Sequence, residues 1–385
     1  MKTITKGRRP MATLTQMPHP GEFIREELEA RDWSQRDLAY VLGAPEQAVN
    51  MIISGKRGIS ADMARALADA FGVSAELFVN LQSAFDLSRA REPDPSVSRK
   101  GRLQSSYPIR EMIKRGWLSN GEPSTLDREI ASFFEAASVA EIPHLAPAHA
   151  AMKSSYEDTP PVQLAWLYRV RQLAREMVVP RFSRPSLVDT LSRLHGLMGA
   201  PEECRNVPRL LTDCGVRFVI VEGLPGGKID GVCTWLNSSS PVIGLSLRYD
   251  RIDNFWFVLR HEIEHVLNGD GKSVAIIDTE LEGERGGTGE ALPVEERNAN
   301  AAAAAFCVPT KELESFVARK SPYFSERDLL AFSAKLGVHP GIVAGQLRRR
   351  INNWKIFTKL LVKIRFALAP SAVTDGWGDV APAAL

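Results

Sequence analysis

The sequence has 385 residues, enough for two or three domains. Its 44% hydrophobic and 24% charged residues fit a globular chain and exclude a disordered or collagen-like one. A net charge of +2 selects no partner, and no run reaches the ~18 apolar residues of a membrane span, so no membrane association is expected. Lys2, Lys6, Arg8 and Arg9 precede no apolar core, so they do not read as a secretory leader, and the expected compartment is the cytoplasm. Cys204, Cys214, Cys233 and Cys307 form no C-x-x-C pair and lie in apolar surroundings, as reduced structural thiols do.

In chain order, residues 1–18 read as a flexible basic tail, and residues 19–90 as a helical domain. Phe23, Ile24 and Leu28 recur at helical spacing. Ser34 caps a helix from Gln35 to Leu42, Gly43-Ala44-Pro45 turns the chain, and a second helix runs from Glu46 to Ser54. That pairing is the helix-turn-helix pattern, with Ala39 and Val49 where the helices cross. Ser60 and Ser74 cap a fourth and a fifth helix, ending near Phe71 and Leu87. In such a unit the second helix enters the major groove. Gln47 and Asn50 are candidates for reading base edges, and Gln35, Lys56 and Arg57 for holding phosphates. Residues 1–90 carry 11 Lys/Arg and 11 Asp/Glu, so modest DNA affinity is expected unless a dimer doubles the contacts.

His19-Pro20-Gly21-Glu22, Ser34 to Ala39, Gly55 to Asp62 and Asn80 to Leu87 together resemble the HigA-type antitoxins, a Cro/repressor-like (XRE) family. The resemblance implies a five-helix, lambda-repressor-like domain that binds operator DNA as a homodimer, with a RelE-like toxin as partner. Glu46 and Met51 stand where that family often has basic residues, which leaves the operator sequence open.

Residues 91–185 read as a linker, over Glu92 to Arg102, followed by helices that space two modules or pack on the second. Those helices are expected from Tyr107 to Gly116, from Thr125 to Ala137 and from Trp166 to Val178; His144 and His149 read as incidental. Residues 186–320 bring in strands. A helix spans Leu187 to Leu197, a β-rich run Val216 to Val221, and a hairpin Val232–Leu236 with Pro241–Leu247. Residues 268–292 are rich in Gly and acids, and part of them reads as a mobile lid between the ligand helices or as plain disorder. Residues 321–385 read as a helical extension, whose 346–365 stretch carries seven Lys/Arg and no Asp/Glu and reads as a solvated basic face.

The chemistry concentrates at His261-Glu262-Ile263-Glu264-His265, an H-E-x-x-H motif in an apolar run uninterrupted until Gly269. On a helix the two histidines share a face one turn apart, spaced to grip one Zn²⁺, with Glu262 beside them as general base. A third ligand is expected on the helix that begins after Pro293. Glu296 suits it, with Glu295 the nearest rival and Asp270 and His339 weaker ones. Asn300, one turn beyond Glu296, is placed to hydrogen-bond a ligand histidine from outside.

Arg260 to Leu267, Glu296 to Asn300 and the Ala-rich segment ending Val308-Pro309 resemble the ImmA/IrrE metallo-endopeptidases. That resemblance implies His261, His265 and Glu296 as ligands of Zn²⁺, or of another divalent ion such as Mn²⁺, and Glu262 as catalytic base. It also implies a DNA-bound repressor, or the chain itself, as substrate. The family favours a small residue before the second histidine; Glu264 here is expected to add a carboxylate near the metal. The expected fold class is mainly α with a small sheet (α+β), a helix-turn-helix domain followed by a zincin-like peptidase. The competing reading is a non-catalytic HigA-like antitoxin and autorepressor.

Overall fold

The computed structural model describes residues 17–121, 123–139, 142, 159–279, 281 and 292–377. Residues 1–16 of the expected tail, His144, His149 and residues 280 and 282–291 of the expected lid lie outside them. The chain divides into two units, Met1–Pro95 and Ser96–Leu385.

In the first unit, local capping signals set the helix boundaries. The helices are α1 (Pro20–Ala30), α2 (Gln35–Leu42), α3 (Glu46–Ile53), α4 (Ala61–Phe71) and α5 (Ala75–Arg89). At the start of α2, Ser34 Oγ accepts from the Asp37 amide while the Asp37 carboxylate accepts from the Ser34 amide, satisfying two otherwise orphaned donors. Gly43 ends α2 at φ 57°, a left-handed conformation that a side chain would strain. Ser60 and Ser74 cap α4 and α5. The apolar stripes meet in one core that includes Ile24, Leu38, Ala39, Val49, Ile52, Leu67 and Phe78. Each large side chain buried there contributes about 1.5–3 kcal/mol.

The second unit is a mixed sheet between two helical layers. Helices α6 (Pro95–Ser106), α7 (Ile109–Lys114), α8 (Pro123–Phe133), α9 (Pro161–Glu176), α10 (Arg184–Gly196) and α11 (Val207–Asp213) precede β1 (Arg217–Val221), β2 (Ile229–Trp235) and β3 (Pro241–Leu245). Then come α12 (Ile252–Asn268), β4 (Ile276–Thr279), α13 (Val294–Cys307), α14 (Thr310–Lys320), α15 (Glu326–Leu336), α16 (Pro340–Arg350), α17 (Arg365–Leu368) and β5 (Val373–Asp375). The sheet order is β4-β2-β3-β1-β5. β2 runs antiparallel to β3 and β4, and β1 parallel to β3 and β5.

The period of two along the strands assigns the layers. Val219, Val221, Val232, Val242 and Ile277 face the core built on Trp166, Phe134 and Met112. Phe218, Ile220, Cys233, Ile243 and Leu245 face α12 and the C-terminal helices. The helices within 96–185 therefore pack on the sheet, the second of the two roles expected for that segment. The expected linker is wrong over 95–102: Pro95 opens a helix there, and Leu103 is buried against the sheet's first layer.

Two further expectations fail. The 268–292 segment contains a strand, β4, and the basic stretch at 346–365 is not a solvated helical face. Helix α16 ends at Arg350; Arg348 Nε donates to Trp354 O, Arg349 Nη2 donates to Leu281 O and lies over the Phe257 ring, and Arg350 pairs with Glu314. The apolar residues of α15 and α16 join the core around α12. No described helix is long and apolar enough to cross a membrane. All four cysteines are buried free thiols, and burial pushes Cys204 and Cys307 up to about 12.

Candidate functional site

In the first unit, α2 and α3 form the two-helix element. Gln47, Asn50, Lys56 and Arg57 are exposed, Gln35 is half-buried, and Asn50 Nδ2 donates to Gln35 Oε1 over 3.0 Å. The sequence did not signal this link between the two amides. Lys56 and Arg57 follow α3, and both their backbone amides donate to Met51 O. Gln82 of α5 holds the following loop by accepting from the Ile59 amide. Glu46 is engaged by Arg36, whose Nε lies 3.3 Å from Glu46 Oε2 on the exposed side.

In the second unit, α12 projects His261 and His265 toward β4 and α13. Among the described residues, His261, His265, Asp278 and Glu296 form a group whose donor atoms all lie within 4.8 Å of one another, and it could hold a metal ion. All four are between 0 and 5% exposed. His261 Nε2 is 3.0 Å from His265 Nε2, 3.3 Å from Asp278 Oδ2 and 3.4 Å from Glu296 Oε2; His265 Nε2 is 3.8 Å from Glu296 Oε1. Four atoms bonded tetrahedrally to one ion at about 2.0–2.2 Å stand about 3.3–3.6 Å apart, so the spacing fits a single divalent cation.

The cluster departs from the sequence reading in three places. Asp278, from the middle of β4, is absent from that reading. Asp270, a weaker ligand candidate there, instead meets the far side of a histidine: its Oδ2 is 3.0 Å from His265 Nδ1, which directs the Nε2 lone pair into the cluster. Asn300, expected in that role, is buried with Oδ1 unbonded. The other named ligand rivals, Glu295 and His339, are not in the group. Glu264 adds no carboxylate to it either; Glu264 Oε2 lies 2.6 Å from Arg260 Nη2, one turn back on α12.

Glu262 is fully buried, and both its carboxylate oxygens lack a hydrogen-bond partner. It points at β2, where Gly231 makes the room: a Cβ there would overlap Glu262 Oε1. Gly231 in turn pairs with Asp278 across the strands. Burial, then the charges of Asp278 and Glu296, push the Glu262 carboxyl well above its ordinary range. Burial opposes charge on His261, yet Asp278 and Glu296 prevail and raise it to about 9. His265 is raised in the same contest, and the two imidazoles hold Glu296, despite its burial, well below the usual carboxylate range. Excess negative charge with unbonded oxygens is the electrostatic complement of a cation.

Comparison with known proteins concerns the first unit. Residues 24–78 match the helix-turn-helix family HTH_3. Virulence-associated protein I of Dichelobacter nodosus is 38% identical over 81 residues, 21% of this chain and 75% of that protein. The uncharacterized HTH-type transcriptional regulator YddM of Escherichia coli is 33% identical over 86 residues, 22% of this chain and 90% of that protein. A solved addiction module antidote protein of the HigA family from Coxiella burnetii shares 35% identity over 24% of this chain and 95% of its own, at a TM-score of 0.20.

Proposed function

The chain belongs, through its N-terminal unit, to the XRE-type helix-turn-helix family of DNA-binding regulators, and we propose that it is an operator-binding transcription regulator whose second unit is a zincin-like metallo-endopeptidase of the ImmA/IrrE kind. It acts in the cytoplasm and binds operator DNA as a homodimer, so that two copies of α3 read two half-sites. A single observation carries the second half of the proposal: four buried donors converge within 4.8 Å beside the unpartnered carboxylate of Glu262.

His261, His265 and Glu296 would hold the ion, and Asp270 would fix the tautomer of His265. Zinc, or manganese in its place, supplies positive charge that polarises a peptide carbonyl and acidifies water. Glu262, whose carboxyl burial and the neighbouring charges of Asp278 and Glu296 push up, would take a proton from water and deliver it to the leaving amine. The substrate is a DNA-bound repressor or the chain's own regulatory region.

The test is metal content and cleavage in one preparation. Stoichiometric zinc in the wild type and in Glu262→Gln, with cleavage lost only in the latter, supports the reading. A folded wild type that takes up no metal removes it. A second reading is a non-catalytic HigA-like antitoxin and autorepressor partnered with a RelE-like toxin. Asp278 favours it, because catalytic zinc sites keep one position free of protein donors. Operator and toxin binding that survive both Glu262→Gln and metal removal would select the second reading.

A further inference from the structure

On the reading that His261, His265 and Glu296 hold a metal, we infer that Asp278 is a fourth protein ligand, which closes the site and holds the peptidase latent until strand β4 moves. Three observations carry the inference. Asp278 Oδ2 lies 3.3 Å from His261 Nε2, within the 3.0 to 3.8 Å range of the separations among the other donors, so its carboxylate belongs to the same polyhedron. Asp278 pairs across the strands with Gly231, the residue whose missing side chain makes room for Glu262 Oε1. Its carboxylate therefore shares one pocket with the general base and His261, where a water must sit to be deprotonated. And the centre is sealed, since neither histidine nor Glu262 has any exposed surface.

The element that carries Asp278 is built to leave. β4 is a four-residue strand at the sheet edge, bonded among the described residues on one side only, to β2. Its register with β2 is broken by a bulge between Ile229 and Gly231, directly beside the Gly231–Asp278 pair. Beyond it, Leu281 is tied down by two side chains: its amide donates to Asp230 Oδ2 and its carbonyl accepts from Arg349 Nη2. Withdrawing β4 exposes the β2 edge, against which an extended peptide chain can pair, and frees the fourth metal position in the same movement. The occupant this opening admits is a polypeptide segment in extended form.

Cobalt reports the difference without any need for substrate. The full-length protein is loaded with Co²⁺ and its visible spectrum recorded from pH 6 to 9, with and without acetohydroxamate. The wild-type spectrum is expected to be four-coordinate, independent of pH and unmoved by hydroxamate. Asp278→Ala is expected to bind zinc at least roughly tenfold more weakly, to show a pH-dependent cobalt spectrum, and to shift on adding hydroxamate. A wild-type spectrum that titrates and shifts with hydroxamate overturns the closure while leaving the metal centre standing. Absence of cobalt from folded wild type overturns the centre and the closure together. Should Asp278→Ala fail to fold, the wild-type responses alone decide.

Discussion

Asn50 of α3 donates its side-chain amide to the side-chain oxygen of Gln35, the first residue of α2. The bond fixes the Asn50 rotamer before DNA arrives, and its remaining donor and its acceptor stay free for an adenine edge. Asn50→Ala is expected to weaken binding to a selected operator by about 1–3 kcal/mol while hardly changing binding to random DNA. Gln35→Ala should cost part of the same energy, and the double mutant less than the sum, because one contact is removed twice. Fluorescence anisotropy on the two DNAs checks this; strict additivity would show that Gln35 does not orient Asn50.

The acid at the head of α3 has the opposite effect. Glu46 is exposed and paired with Arg36. Glu46→Gln should release Arg36 toward phosphate and tighten DNA binding several-fold at about 50 mM salt, a gain that fades by about 300 mM. Lys56→Ala and Arg57→Ala should each lower the slope of log K against log salt by about one.

Two glycines of the second unit should respond in opposite directions. A Cβ at Gly231 meets Glu262 and Val258; Gly231→Ala is expected to cost about 1–3 kcal/mol and to lower zinc affinity by turning the Glu262 side chain. Gly101 lies inside α6 with open space where a methyl group would stand, so Gly101→Ala should add about 0.5–1 kcal/mol. Thermal melts of both variants give the signs.

Metal uptake should displace protons. Without metal, His261 is raised to about 9, so at pH 7 its ring is charged and offers no lone pair to a metal. Acid strengthens this competitor and base removes it, so zinc affinity rises as the pH goes from 7 toward 9. Titration calorimetry at pH 7.5 in two buffers of different ionisation enthalpy should give heats differing by about one released proton or more per site. Buffer-independent heats would mean that the ring is already neutral.

Sequence made some of this visible and hid the rest, for identifiable reasons. α2, α4 and α5 announce themselves through Ser34, Ser60 and Ser74, each of which caps its helix through a hydrogen bond only a few residues long. α12 and its two histidines are legible because one helical turn fixes their mutual placement. Asp278 was hidden because its strand is four residues long, too short for a period of two to register, and lies in Gly- and acid-rich sequence. The surviving signal was Ile276-Ile277, a β-branched pair directly before an acid. β5 is shorter still, and its pairing with β1 spans 154 positions from Val219 to Val373. Helix α6 was obscured by composition: its Pro, Ser and Gly suggest a linker, yet Pro95 stands at its first position, where proline is tolerated.

The closing strand also sets an order of events during synthesis. Asp375 is fully enclosed, bonded to Trp117 Nε1 and Arg169 Nε, and its carbonyl accepts from the Glu222 amide. The second unit therefore lacks this buried partner until residue 375 has left the ribosome, whereas every residue of the first unit is made by residue 95. At about 5–20 residues per second, the DNA-binding unit precedes a complete second unit by tens of seconds. During that interval a nascent chain can already carry a formed helix-turn-helix unit while its second unit is still unfinished.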